Sequence, residues 1–77
     1  MKYYRTLDRI GDGDGFEGTI YTNKEQAIDD CMSEWESLSD YDKARRSLFY
    51  VAEYDSKEEA EDAWCGHNVV YDAMKEA

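Results

Sequence analysis

The residues best suited to chemistry in this chain are its two cysteines and its single histidine. Cys65 and His67 stand close together in the sequence, and both side-chain types bind zinc. A structural zinc site needs four ligands, and Cys31 is the only further cysteine. A cysteine nucleophile would need His67 as its base, and neither a nucleophile elbow nor a phosphate-binding glycine loop is present. We therefore expect no catalytic residue, no metal site and no cofactor, and we expect that the chain is not an enzyme.

A run of glycine and aspartate at residues 11–15 offers oxygen ligands of the kind that calcium prefers. The register excludes an EF-hand, because Gly15 at the loop's glycine position would place Ile10 first and Tyr21 last, where carboxylates are needed. Glycine and aspartate are also the common residues of tight turns. The run therefore predicts a hairpin turn.

Carboxylates dominate the polar residues, with 19 Asp and Glu against 9 Lys and Arg and a formal net charge of −10. This charge disfavours direct contact with nucleic acid and with anionic membrane surfaces, and it favours a basic partner. Many of the acids fall on the outer faces of two predicted helices. There they form either two negative ridges that bind a partner or a surface that only keeps the protein in solution. The candidate binding residues are Glu25, Asp29, Asp30, Glu36, Glu58, Glu59, Glu61 and Asp62.

The only basic cluster consists of Lys43, Arg45 and Arg46. It could contact an anion or the acidic patch of a partner. Local charge pairing is the simpler interpretation, and we expect these side chains to neutralise Asp40 and Asp42.

The first elements that must position these residues form a hairpin. Residues 2–10 and 16–21 are rich in aromatic, β-branched and large apolar side chains and predict two strands. Residues 11–15 tolerate positive φ and allow the chain to reverse between them.

An amphipathic helix is predicted over Lys24–Leu38, with Thr22 or Asn23 as its N-cap and Glu25 in its first turn, where the helix dipole favours an acid. Its apolar residues recur three and four positions apart and form one apolar stripe. The stripe consists of Ala27, Ile28, Cys31, Met32, Trp35 and Leu38.

Serine caps mark two further helices. Ser39 and Asp42 resemble a capping box and predict a short helix or turn at residues 40–46, while Ser56 and Glu59 open a helix at Lys57. Between them, residues 47–54 give the strongest strand signal and predict a central strand.

The region after Gly66 allows two interpretations. Apolar residues keep helical spacing as far as Met74, which suits a helix that continues through Gly66 at a cost of about 1 kcal/mol. Residues 68–72 also fit a short edge strand. We favour the helix.

Together these elements predict one α+β domain over residues 1–77. It has a small, largely antiparallel sheet, made of the N-terminal hairpin and a central strand, with the main amphipathic helix and a C-terminal helix on one face. The apolar stripe is expected to lie against Phe49 and Val51. A domain of this size is expected to have little room for a ligand pocket of roughly 300 Å³ or more.

The sequence opens without an apolar segment, and no apolar run approaches the roughly 18 residues of a membrane span. We therefore expect a cytoplasmic protein that does not contact membranes. In a reducing compartment, Cys31 and Cys65 are expected to be buried thiols rather than a disulfide.

Three central segments resemble a known group of proteins. Residues 22–28 (TNKEQAI), 34–46 (EWESLSDYDKARR) and 49–51 (FYV) resemble small uncharacterised acidic proteins carried by conjugative elements and phages of Gram-positive gut bacteria. The resemblance covers about half the chain and contains no catalytic motif. It implies an accessory role on a mobile element, with no cofactor.

Two functions fit these observations. The first is a non-catalytic accessory protein that binds another protein through an aromatic and acidic surface. The alternative is an acidic nucleic-acid mimic that inhibits a host DNA-binding or defence protein, because rows of carboxylates replace phosphates in a basic groove.

Overall fold

The computed structural model describes residues 1–10, 13–62 and 68–76, with residues 13–18 described by their backbone. Within these segments the elements are β1 Tyr3–Ile10, β2 Gly13–Tyr21, α1 Lys24–Ser37, α2 Asp40–Arg45, β3 Arg46–Tyr54, α3 Lys57–Asp62, β4 Asn68–Asp72 and α4 Ala73–Glu76. The predicted α+β class is confirmed.

The four strands form one antiparallel sheet in the order β2-β1-β3-β4. Ile10 pairs with Gly13. The second strand of the hairpin therefore begins at residue 13, three residues before the predicted start at residue 16. β3 pairs with β1 on one side and with β4 on the other. Its predicted central position is therefore confirmed.

Helices cover both faces of the sheet, and β3 is consequently buried on both. Because side chains alternate along a strand, Phe49 and Val51 point to the face that α1 covers. Tyr50, Ala52 and Tyr54 point to the opposite face, where α3 packs. Burial on both faces accounts for the unbroken run of apolar and aromatic residues that makes this segment so recognisable.

The apolar stripe of α1 packs on the sheet as predicted. Trp35 is 8% exposed, and the centroid of its ring lies 5.2 Å from that of Phe49 with a tilt of 49°. Aromatic pairs prefer tilted arrangements at this separation. Ala27 and Cys31 are fully buried in the same cluster. Met32, in contrast, is 39% exposed, so its predicted place in the stripe is wrong.

Side-chain caps begin three of the helices where the sequence predicted them. Asn23 caps α1, Ser39 caps α2 and Ser56 precedes α3. Each side-chain oxygen accepts a hydrogen bond of 3.0–3.1 Å from the backbone N–H three residues later. These bonds satisfy N–H groups that have no partner within the helix. The choice between Thr22 and Asn23 is decided in favour of Asn23.

The chain from residue 68 onward begins as a strand, so the continuous helix favoured by the sequence is wrong. β4 pairs with β3 with a register shift between Val51 and Ala52, which leaves Val70 as an extra residue. This bulge lets Val70 and Tyr71 both pack against the α1 side of the sheet. The helix on that face after β4 is the short α4, which buries Ala73 beside α1. Gly66 lies outside the described residues.

Candidate functional site

The outer side of α1 carries an acidic stripe, defined here as Glu25, Asp29, Met32 and Glu36. These positions are four, three and four residues apart and therefore follow one line along the helix. All four side chains are exposed. The opposite side of α1 is held by the buried Ala27 and Cys31. The acidic stripe is thus fixed on a packed helix.

Asp30 does not belong to this stripe, although the sequence grouped it with the exposed acids. It is half-buried and hydrogen-bonds the hydroxyl of Tyr21 at the end of β2. Burial, reinforced by this hydrogen bond, raises the pKa of Tyr21. Asp30 therefore helps to attach α1 to the hairpin.

A second group of predicted acids lies on α3 and forms an exposed ridge. We call it the α3 ridge, and its members are Glu58, Glu59, Glu61 and Asp62. Ala60 anchors α3 on the face of the sheet opposite to α1. Lys57 lies 3.9 Å from Glu61 and offsets part of the charge. The two predicted groups of acids therefore face opposite directions and do not form one continuous surface.

A pocket of about 440 Å³ opens where β3 ends and α3 begins, and we call it the terminal pocket. Its volume corrects the expectation that so small a domain has little room for a ligand site. Residues from both ends of the chain contribute to it. The lining residues are Lys2, Glu53, Tyr54, Asp55, Glu59 and Asn68.

Neutral hydrogen-bond donors hold the carboxylate of Glu53 in the terminal pocket. The Tyr4 hydroxyl donates to Glu53 Oε2 at 3.0 Å, and Asn68 Nδ2 donates to Glu53 Oε1 at 3.2 Å. Burial, followed by this contact with Glu53, raises the pKa of Tyr4. Glu53 is half-buried. Because Tyr4 belongs to β1 and Asn68 to β4, the orientation of the Glu53 carboxylate is set by the two strands that flank β3.

The other two carboxylates of the terminal pocket take part in local structure. Asp55 forms an ion pair with the ammonium of Lys2. Glu59 Oε2 accepts a hydrogen bond of 3.3 Å from the backbone N–H of Asp55, one residue before the cap, instead of from Ser56 as a capping box requires. The hydrogen bond and the charge of Asp55 raise the pKa of Lys2, which keeps its ammonium protonated.

Comparison with protein-family models, with curated proteins and with solved structures found no match. The site must therefore be interpreted from its own geometry. None of the helices in the described segments has the length and apolarity needed to cross a membrane.

The basic cluster at the end of α2 and the start of β3 makes contacts within the protein, although not those that the sequence predicted. Lys43 Nζ lies 5.5 Å from the centroid of a Trp35 ring, and Arg45 lies 5.5 Å from that of Tyr41. Both are cation–π distances. Arg46 donates to the backbone carbonyl of Asp42 at 2.8 Å and, in a partly buried ion pair, lies 3.6 Å from the carboxylate of Asp8. The acid that Arg46 neutralises is therefore Asp8.

The residues first considered for chemistry are either buried or outside the described segments. Cys31 is a free thiol with no exposed surface, and burial raises its pKa to about 12, while a hydrogen bond with Thr6 acts in the opposite direction. A protonated, buried thiol is a poor nucleophile. Cys65, His67 and residues 11–12 lie outside the described residues. Among the described ones, no three His, Cys, Asp or Glu side chains are arranged to hold a metal ion.

The aromatic residues contribute less to the surface than the sequence suggested. Trp35, Phe49 and most tyrosines with described side chains are buried or half-buried. Tyr41, at 70% exposed, is the exception among aromatic side chains that the structure describes.

The terminal pocket was missed by sequence analysis. Its one local signal was the Ser56 and Glu59 capping box, which predicted where α3 begins but not what lies beside it.

Proposed function

We propose that this chain is a non-catalytic binding protein whose acidic stripe contacts a basic surface of another protein. The observation that carries the proposal is the uncompensated charge of Glu25, Asp29 and Glu36. Within residues 1–10, 13–62 and 68–76, none of these three acids forms an ion pair with a basic side chain. Exposed carboxylates that form no ion pair within the protein are available to the basic groups of a partner.

Packing supports the proposal because it holds α1 in place before a partner binds. α1 is anchored by Trp35, Cys31 and Ala27, so the helix that carries the carboxylates need not be ordered when a partner binds. Rows of like charge on a rigid element accelerate association with an oppositely charged surface and select against wrong partners. Met32 adds a flexible apolar contact in the middle of the row. A basic surface with an apolar residue at its centre is therefore the partner that fits.

Nucleic-acid mimicry has less support than protein binding. The acidic stripe runs over residues 25–36, a rise of about 16 Å, and its three charges are on average about 8 Å apart along the helix axis. One strand of B-DNA has one phosphate per about 3.4 Å. The α3 ridge does not raise this density, because it lies on the opposite face of the sheet. Mimicry stays a prediction, and so does the setting on a mobile element that the resemblance implies.

The test compares two variants that lose the same number of charges at different places. The first neutralises the acidic stripe, and the matched control neutralises the α3 ridge. The stripe variant is Glu25→Gln, Asp29→Asn and Glu36→Gln; the control is Glu58→Gln, Glu61→Gln and Asp62→Asn. Each immobilised protein is incubated with a lysate of the organism that encodes the chain, and retained proteins are identified by mass spectrometry.

If the proposal holds, the lysate contains a protein that the wild type and the control retain and that the stripe variant does not retain. Its affinity should fall as salt rises, because the contact is electrostatic. Retention by all three proteins alike, or only of proteins that bind any polyanion, contradicts the proposal. Release of the retained protein by duplex DNA at low salt is the result that mimicry predicts.

A further inference from the structure

α2 is held to the rest of the protein without an apolar anchor. It is a helix of 6 residues, and none of them is buried. Its two apolar side chains, Tyr41 and Ala44, are both exposed. A helix this short is unstable in water unless contacts with the rest of the protein hold it in place. The stability of α2 therefore depends on a few polar contacts.

One of these contacts covers Trp35. Lys43 is half-buried, and its Nζ lies 5.5 Å from the centroid of a Trp35 ring. Lysine covers apolar surface with its alkyl stem in this way and keeps its ammonium in water. The other cation–π contact of α2, between Arg45 and Tyr41, lies within the helix. Lys43 is therefore the side chain that joins α2 to α1.

The two ends of α2 are fixed more firmly than the helix itself. Leu38, before the cap, packs against the core cluster beneath α1. Arg46, after the last turn, pairs with Ile10 in the sheet and with the carboxylate of Asp8. Its guanidinium also donates to the backbone carbonyl of Asp42 at 2.8 Å, a second polar contact of α2. Residues 39–45 can therefore leave the surface as a loop between two fixed ends.

We infer that α2 is a lid that opens by local unfolding and uncovers Trp35. In the closed form the Trp35 ring contacts Phe49 on the sheet and Lys43 on α2. Opening removes Lys43 but leaves the contact with Phe49 and the buried Cys31 in place, so α1 stays packed. Segments with few buried contacts open at lower free energy than the whole protein. The inference goes beyond the proposed function, because it concerns Trp35 and no residue of the acidic stripe.

The experiment is native-state hydrogen exchange of the isotope-labelled full chain, followed by NMR in increasing, sub-denaturing urea. Exchange is followed from milliseconds to hours, so that weakly protected amides are included. The backbone amides of residues 43–45 report on α2, and the amide of Val51 in β3 reports on global unfolding. The dependence of each opening on urea measures the surface that the opening exposes.

A lid that uncovers Trp35 predicts its own urea dependence. Residues 43–45 should exchange through an opening at least about a hundredfold more populated than global unfolding. The urea slope of this opening should lie between zero and the slope for Val51. A slope near zero would mean that α2 frays without uncovering Trp35, and a slope equal to that of Val51 would mean that it opens only with the whole protein. Either result overturns the inference.

Two alanine variants connect the lid to its contact. Lys43→Ala removes the side chain over Trp35 and should raise the population of the open form about tenfold. Arg45→Ala is the matched control, because it removes a cation that stacks within α2, and it should raise that population at most about twofold. Alanine favours helix at both positions, so helix propensity does not explain a difference. Equal effects of the two variants would overturn the inference.

Discussion

The hydroxyl of Tyr4 and the carboxylate of Glu53 are joined by a hydrogen bond of 3.0 Å directly across the paired strands β1 and β3. The ring of Tyr4 is part of the buried cluster beneath α1, while Glu53 lines the terminal pocket. One side chain therefore connects the core of the protein with the terminal pocket. A change in this bond should be measurable as a change in stability.

Replacing Tyr4 with Phe tests this connection, because it removes the donor and keeps the ring. We expect the free energy of unfolding, measured by urea denaturation, to fall by about 1 kcal/mol, the usual net value of one hydrogen bond. Tyr41→Phe is the matched control, since it removes a hydroxyl from a largely exposed ring. Equal losses in the two variants would show that the bond with Glu53 contributes nothing specific.

Trp35 is expected to be the most costly apolar side chain of α1 to remove. Trp35→Ala should lower the free energy of unfolding by about 3–5 kcal/mol, because it leaves a cavity between α1 and Phe49. Met32→Ala on the same helix should cost less than about 1 kcal/mol, because Met32 is partly exposed. Circular dichroism in urea measures both. Similar costs would contradict the packing described here.

The start of α3 depends on the side chain of Ser56. Ser56→Ala removes the acceptor for the backbone N–H of Glu59 and should cost about 1 kcal/mol. Ser33→Ala, at an exposed position within α1, should be neutral or slightly stabilising, because alanine is the better helix former. Thermal unfolding of both variants gives the comparison. A loss in Ser33→Ala as large as in Ser56→Ala would argue against the cap.

Alkaline pH should destabilise the protein partly through Cys31. Its pKa is raised from 9.0 to about 12 in the folded state, so folding favours the protonated thiol. This contribution to stability is complete below about pH 9 and is lost as the pH rises towards 12. Tyr4, Tyr21 and Tyr71, whose pKa values burial also raises, act in the same direction above pH 10.

The measurement is the urea midpoint as a function of pH in a Cys65→Ser background, with and without Cys31→Ala. The protein that retains Cys31 should lose more stability between pH 9 and 12 than the variant without it. Parallel curves would contradict the assignment. A thiol reagent at pH 8 provides a second check, since Cys31 should react slowly in the folded protein and rapidly in denaturant.

Local signals in the sequence determined the elements whose causes are themselves local. The caps at Asn23, Ser39 and Ser56 depend on residues within one helical turn, and the apolar stripe of α1 depends on helical periodicity. The residues of β3 identified it as a central strand, because only a strand buried on both faces tolerates so many apolar side chains. The net charge of −10 is a property of composition alone, and the basic partner that it favours stays a prediction.

Tertiary structure alone decided which residues share a surface. Whether residues 68–72 form a helix or a strand depended on β3 having an unpaired edge, and the bulge at Val70 obscured the alternation that marks a strand. Asp30 is half-buried and hydrogen-bonded to Tyr21, so it is not part of the acidic stripe. The terminal pocket joins Lys2, Glu53 and Asn68, residues far apart in sequence that only strand pairing brings together. Such contacts are set by register across the sheet, and no local pattern encodes them.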